Sequence, residues 1–288
     1  MTPRSTSFAL VIAAYGLALA AAIVTPLVFP HWSTREVLIG GDLIATLVVF
    51  AFSVSANNSS VYDPYWSVAP VVIAFFLAHE AAGLPARQLL VFAAVALWAV
   101  RLTMNWASGW PGLQHEDWRY VELRETSGAG YWLVSLLGIH LFPTAMVLLA
   151  CSALWPALHT GTAALGWVDG LAAVVAFGSI WLEATSDRQM RRFARTRTHP
   201  GQPCDIGLWS WSRHPNYLGE MGFWWGIWLF GVAADPSMAE ATMAGPLAMV
   251  GMFVGVSIPW MERRQAARKP QFADYALRVS KVLPRPPR

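Results

Sequence analysis

An all-α, polytopic integral membrane protein with seven to eight transmembrane helices is the fold class that this 288-residue sequence predicts. The first observation is composition: charged residues make up 13% and apolar residues 56% of the chain, against about 25% charge in ordinary globular domains. The second is the mean hydropathy of +0.43, too high for a soluble monomer that must cover its surface with polar groups. The third is a recurrence of apolar windows near the ~20 residues that cross a hydrocarbon core. Disorder, a collagen repeat and a disulfide scaffold are excluded, since Cys151 and Cys204 are too few and too far apart for a cystine framework or a zinc cluster.

The windows follow one another along the chain. Phe8–Phe29 carries no charge and comes after Arg4; it lacks the processing flank of a signal peptide and reads as a retained first span. Ile44–Tyr62 is uncharged, Tyr65–Ala78 is shorter, and Leu89–Met104 is interrupted by Arg101. Tyr131–Leu158 and Ala163–Leu182 follow, the latter holding Asp169, and Met221–Ala234 and Met243–Trp260 complete the set. The short windows near residues 65 and 225 leave the count between seven and eight. Eight spans place the N-terminus in the cytoplasm and seven place it outside.

The net charge of +3 does not make a nucleic-acid footprint, because the basic residues collect in segments. Arg188, Arg191, Arg192, Arg195, Arg197 and Arg213 form one; Arg263, Arg264, Arg268, Lys269, Arg278, Lys281, Arg285 and Arg288 form another. This is the positive-inside pattern of cytoplasmic segments. Counting spans puts both, together with the polar stretch Arg101–Gly130, on one side of a bacterial inner membrane or its equivalent. There is no repeat and no linker, so residues 1–288 read as one membrane domain.

Two polar blocks stand out. From Glu183, helical spacing through Asp187 and Arg191 brings acids and then an arginine face out of the membrane together. Arginine forks suit phosphate oxygens, although charge alone leaves open a positive-inside segment with no ligand. The block then condenses into Ser212, Arg213, His214, Pro215, Asn216, Tyr217 and Glu220. A helix start needs one cap, which Asn216 could supply; it needs neither the histidine, the tyrosine nor a carboxyl at the membrane edge. An amide beside a carboxylate can recognise a carboxamide or a ribose diol.

The second block is the polar run Asn57, Asn58, Ser59, Ser60 leading to Asp63 and Pro64, a helix break at membrane depth. Such backbone is tolerated where protein covers it or where it lines a cavity. A carboxyl group kept from water there can hold its proton and donate to a carbonyl; an interfacial capping acid is the alternative. The remaining features read as structural. His79–Gly83 begins like a zinc-protease helix but lacks the second histidine, the 16 tryptophans suit an interfacial belt, and His140 and Asp169 read as interface residues.

The run Gly207–Glu220 (GLWSWSRHPNYLGE) resembles the C-terminal signature of the membrane steroid 5α-reductase family, as do SDRQMRRFAR from Ser186, HEDWRYVELR from His115 and FADYALRVSKVLP from Phe272. The likeness spans about Asp63 to Pro284, and its His-Pro and Tyr-x-Gly elements are shared with the isoprenylcysteine carboxyl methyltransferases. The resemblance implies NADPH as cofactor, with residues 1–104 forming substrate-cavity helices and 105–288 the cofactor-binding part. On the cofactor side it points to Glu183, Asp187, Arg191, Arg192, Arg195, Ser212, Arg213, His214, Asn216, Tyr217 and Glu220, and to the second loop Glu116, Asp117, Arg119 and Tyr120. Arg101, Asn105, Arg264 and Arg268 complete that set. No glycine-rich dinucleotide fingerprint is present, as expected of a cofactor held among helix ends.

On the substrate side, Tyr62-Asp63-Pro64 stands where the family has a Gln-Glu-Pro element, and Trp98 falls near the family's substrate tyrosine. The acid is kept in type and the tyrosine is lost, which weakens a steroid assignment and leaves another enone open. Tyr62, Asp63 and Tyr65 are the expected catalytic residues, with Tyr65 the substitute hydroxyl and Trp66 and Trp98 lining the substrate. The expected function is an NADPH-dependent reductase of an α,β-unsaturated ketone, monomeric and without a metal, taking a lipophilic small molecule from membrane lipid. A methyltransferase using S-adenosylmethionine is the alternative enzyme, and a lipid-binding scaffold the non-enzymatic one.

Overall fold

The computed structural model describes residues 3–81, 85–199 and 201–286. Its α-helices are α1 (Arg4–Val28), α2 (Thr34–Ser55), α3 (Tyr65–His79), α4 (Pro85–Gly109), α5 (Trp118–Ser127), α6 (Tyr131–Val134), α7 (Phe142–Cys151), α8 (Trp167–Thr196), α9 (Pro215–Ala234), α10 (Ala239–Met252), α11 (Ile258–Arg268) and α12 (Phe272–Arg278). Among the described residues the β-structure is one isolated bridge, Ser212 to Ser280. Seven helical stretches are long and apolar enough to span a membrane, and the chain is an all-α polytopic membrane protein. Helix α9 has 20 residues, about 30 Å at 1.5 Å per residue; its glycines, tryptophans and polar first turn keep its hydropathy low. Ala82 and Gly83 of the His79–Gly83 run lie outside the described residues, as does Arg288.

The apolar windows find the helices but not their ends. The second window begins at Ile44, whereas α2 starts at Thr34. Ser33 and Glu36 form a capping box there, the Ser33 backbone N–H donating to Glu36 Oε2 at 2.7 Å, so a charged first turn belongs to the helix. The sixth window stops at Leu182, but α8 continues to Thr196 and carries its arginines on a helix. Helix α9 starts at Pro215 with His214 at the N-cap, and Asn216, the expected cap, lies inside the first turn. Proline suits that first position because its missing N–H would have had no helical partner.

The chain divides into two compact units, residues 1–76 with 98–148, and residues 77–97 with 149–288. In the first, α1 and α2 pair through small residues: Ala14 and Ala18 are buried on α1, Gly41 and Ala45 on α2, and a Cβ at Gly41 would sit 3.7 Å from Ala22. Without a hydrophobic gain between helices in lipid, close backbone approach is what makes them adhere. Ile12, Leu17, Ile23 and Leu27 remain exposed, as residues facing acyl chains should. Segments Ser135–Leu141, Trp155–Thr160 and Phe253–Ser257 are π-helical.

In the second unit α8 packs along α9 through Gly219, Gly222 and Gly226. A Cβ at Gly226 would lie 2.6 Å from the Ala176 backbone, and one at Gly219 would lie 2.9 Å from Ser179 O. At the other end of that pair, Arg87 is 1% exposed and forks onto Asp169, Nε to Oδ1 at 2.7 Å and Nη2 to Oδ2 at 2.8 Å. It also donates to the carbonyls of Ala163 (2.7 Å), Ala164 (3.2 Å) and Ala233 (3.3 Å). Asp169, expected at an interface, is 4% exposed. Removing one partner of a buried, hydrogen-bonded ion pair costs about 3–5 kcal/mol. Arg87→Met is therefore expected to lower unfolding stability in detergent by about that amount, and an unchanged thermal midpoint would show the clamp to be idle.

Candidate functional site

The break after α2 is where the first unit gathers its polar groups. Asn57 takes a left-handed conformation (φ 49°) that stops the helix, and Asn58 caps the short 3₁₀ turn Ser59–Val61, its Oδ1 accepting from Ser60 N at 2.8 Å. Backbone left unpaired away from water is costly, and the break and the neighbouring loop supply partners to each other. Asn58 Nδ2 donates to the carbonyls of Leu113 (2.8 Å) and His115 (3.0 Å). Ser59 N donates to Glu116 Oε1 at 2.7 Å, and Asp117 N donates to Ser60 Oγ at 2.9 Å. Tyr15 Oη donates to Val61 O at 3.0 Å from α1.

Glu116 also accepts from Tyr131 Oη (3.1 Å) and from Arg124 (Nη2 to Oε1, 3.1 Å), while Arg124 stacks over the Tyr131 ring at 3.9 Å. Its carboxylate thus ties the break to the start of α6, with its oxygens engaged by protein donors. The Ser59 hydroxyl bonds Tyr131 Oη (2.7 Å) and Ser135 Oγ (2.9 Å). His140, fully buried and not interfacial, lies between the Ser53 hydroxyl (3.0 Å from Nε2) and the Ser135 carbonyl (3.0 Å from Nδ1).

The expected catalytic residues separate. Asp63 is partly exposed, and Tyr120 Oη donates to its Oδ1 at 2.7 Å. Its carboxyl thus takes a side-chain hydroxyl. Tyr62 and Tyr65 point away from it: Tyr62 Oη bonds Thr144 Oγ1 at 2.8 Å, and Tyr65 Oη donates to Asp42 Oδ1 at 2.7 Å. Trp66, Arg101 and Asn105 are partly exposed on α3 and α4, and Trp98 is 1% exposed. The Ser67 and Thr103 hydroxyls, 2.8 Å apart, join those two helices. Arg119, a charged neighbour of Asp63, donates through Nε to Asp117 Oδ1 at 2.8 Å and lies 5.5 Å from the Tyr120 ring centroid.

In the second unit the cofactor-side residues form two groups. Arg188, Arg191, Arg192 and Arg195 are exposed on α8 at helical spacing, while Glu183 and Glu220 are both 5% exposed. A Cβ at Gly219 of α9 would lie 2.9 Å from Glu183 Cβ, and Glu220 Oε1 accepts from Trp224 Nε1 at 3.0 Å. Asp187, Asn216, Tyr217 and Arg264 are partly exposed, Arg268 exposed and Ser212 buried. Arg213 is bound by protein: Nε meets Glu262 Oε1 at 2.7 Å and Nη1 the carbonyls of Ala276 (2.9 Å) and Val279 (2.6 Å). His214 shares that Glu262 oxygen at 3.1 Å and stacks on Tyr217, with ring centroids 5.4 Å apart. The C-terminal segment closes over this loop through Tyr275 Oη to Trp209 O (2.7 Å) and Arg213 N to Ser280 O (2.9 Å). Burial pushes the Cys204 thiol up to about 11.

Sequence reading missed Arg87, Asp42 and Thr144 as buried polar anchors. Arg87 stood just before a window and could have been weighed as a paired charge; Asp42 lay before the window at Ile44.

Residues 49–279 match a family described as "Protein of unknown function (DUF1295)". An uncharacterized protein of Schizosaccharomyces pombe is 28% identical over 281 residues, covering 88% of this chain and 81% of that protein. No solved structure matches the chain.

Asp117 carries a test of the loop that fixes Tyr120. Burial raises its carboxyl, but the hydrogen bonds and charge of Arg119 more than offset this and hold it below the usual range. Its stabilisation is then complete above the unfolded value of about 3.9 and lost as pH falls through the lower folded value. Thermal unfolding followed from about pH 6 to about pH 3 should fall more steeply in the wild type than in Asp117→Asn; parallel profiles would remove Asp117 from the account.

Proposed function

The chain belongs to the DUF1295 family of proteins of unknown function, and we propose that it is an NADPH-dependent membrane reductase of a lipophilic α,β-unsaturated ketone. The observation that carries this reading is an acid, Asp63, at a covered helix break, partly exposed and held by a tyrosine hydroxyl at 2.7 Å. An ionisable group among membrane-spanning helices is a functional candidate by default, and one that stays partly exposed while the backbone beside it is hydrogen-bonded is placed for a ligand.

The cofactor side fits a phosphate-bearing nucleotide. Arg191, Arg192 and Arg195 present exposed guanidinium groups on one stretch of helix, the donor type that grips phosphates. Asn216, Tyr217 and the buried Glu220 offer hydrogen-bonding groups for a carboxamide or ribose. Arg213, Glu116 and His214 are engaged by protein partners, so in this reading they shape the site. NADPH, when bound, supplies the hydride. Asp63 polarises the carbonyl oxygen, so that charge moving onto oxygen as the β-carbon accepts hydride meets a preorganised donor. The α-carbon then takes a proton from water as the enol O–H proton returns to Asp63, which gives the saturated ketone and restores the acid. Substrate enters from lipid, and the arginine face lies in the cytoplasm.

The experiment is a paired titration of purified protein with NADPH and S-adenosylmethionine, followed by enone-dependent oxidation of NADPH. Expected are NADPH binding, weakened by Arg191→Ala with Arg192→Ala, and turnover that falls ~10²–10³-fold in Asp63→Asn. Binding of S-adenosylmethionine alone would assign a methyltransferase, and binding of neither a lipid-binding scaffold.

A further inference from the structure

The resemblance leaves the reductase site one hydroxyl short, and the structure shows which group stands beside the acid. Every other tyrosine hydroxyl of the first unit is directed elsewhere: Tyr15 to Val61 O (3.0 Å), Tyr62 to Thr144 (2.8 Å), Tyr65 to Asp42 (2.7 Å) and Tyr131 to Ser59 (2.7 Å). Tyr62, Tyr65 and Tyr131 are also 3%, 6% and 2% exposed, enclosed by protein. Tyr120 differs on both counts, being partly exposed and within 2.7 Å of Asp63 Oδ1.

Its placement is built and not incidental. The loop before α5 is fastened to the helix break by Asn58 at the Leu113 and His115 carbonyls, by Glu116 at Ser59 N and by the Asp117 backbone at Ser60 Oγ. Asp117 then caps α5 by accepting from Arg119 N at 2.9 Å, which sets the first turn that carries Tyr120. These contacts fix both ends of the Tyr120–Asp63 hydrogen bond.

The Ser60 hydroxyl is a second hydrogen-bond partner of the Asp63 carboxyl. We propose that Tyr120 is the positioning hydroxyl of the substrate acid: by holding Oδ1 it fixes the carboxyl whose proton is offered to the substrate oxygen. This rests on the reductase reading and deepens it, moving Tyr120 from the cofactor side to the acid and excluding Tyr62 and Tyr65 as its partner. Charge that develops on the substrate oxygen is shared along substrate, Asp63 and Tyr120, so the two side chains act as one unit. Loss of either then costs most of what loss of both costs. The geometry also joins the two tasks of the loop, because Arg119, next in sequence, is a charged neighbour of Asp63.

The test uses the intact protein in detergent with a 3-oxo-Δ4 steroid and an acyclic lipophilic enone, each labelled at the carbonyl carbon. Difference infrared spectroscopy reads the carbonyl stretch, which polarisation lowers, without need of hydride transfer. Tyr120→Phe and Asp63→Asn are each expected to abolish most of the shift and to lower kcat ~10²-fold, with NADPH affinity and thermal midpoint unchanged. The double variant should fall no further, and Tyr65→Phe should keep the shift. Should Tyr120→Phe fail to fold, fluorotyrosine at position 120 keeps the shape and is expected to alter the carbonyl shift and the pH profile of kcat. A wild-type shift retained in Tyr120→Phe, or unaltered by fluorotyrosine, overturns the inference and leaves the reductase reading intact. A wild type that neither shifts the carbonyl nor oxidises NADPH overturns both.

Discussion

The first unit depends on one constraint: backbone that leaves helical geometry and is kept from water must find its hydrogen bonds inside the protein. Between Ser55 and Tyr65 the chain leaves α-helical geometry, and each exposed group has to be met from elsewhere. Ser59 N and Val61 O are met by Glu116 and by Tyr15 of α1, while the Asn58 and Ser60 side chains meet the Leu113 carbonyl and Asp117 N of the loop. That requirement explains why a polar loop is held against the helix break at all. It also gives Glu116 and the Asp117 backbone a structural task, as partners of Ser59 N and Ser60 Oγ.

The second unit answers a different constraint with the same economy of charge. Glycines at 219, 222 and 226 bring α9 against α8 more closely than side chains would allow, so two helices in lipid adhere through backbone contact. The consequence at the polar end is that Glu183 and Glu220 come from adjoining helices near their closest approach. The consequence at the opposite end is a set of carbonyls from Ala163, Ala164 and Ala233 that Arg87 gathers with Asp169. A single buried guanidinium there satisfies three helix-end or loop carbonyls and one carboxylate.

How much of this was legible follows from which interactions are local. The spans were legible because hydrophobic length is a property of consecutive residues, and the acid was legible because Asn57–Ser60 and Pro64 flank it in sequence. The ends of α2 and α8 were not, since charged first and last turns belong to the helices while failing any hydropathy window. The partner of Asp63 was hidden for a further reason. Tyr120 lies 57 positions away, and its approach is decided by hydrogen bonds of Asn58 and Ser60 to a loop with no periodicity. Tyr65, two residues from Asp63, was the natural local choice, and its hydroxyl went to Asp42 instead.

That last pairing sharpens the meaning of an acid in a membrane. The first unit holds two carboxyl groups from helix or helix-break positions, each with a tyrosine hydroxyl at 2.7 Å. Asp42 is 8% exposed and sits on the α2 face that also carries Thr46, Val49 and Ser53, all buried, with Thr46 bonded to Thr144 at 2.9 Å. Its surroundings are protein: Tyr65 meets Oδ1 and ties α2 to α3, while Oδ2 is buried without a hydrogen-bond partner among the described residues. Asp63 has the same partner type and distance but remains partly exposed, with Tyr120 and Arg119 partly exposed beside it. The tyrosine hydrogen bond is equal in both. What separates them is place: Asp42 is buried on a helix, and Asp63 is partly exposed at the helix break.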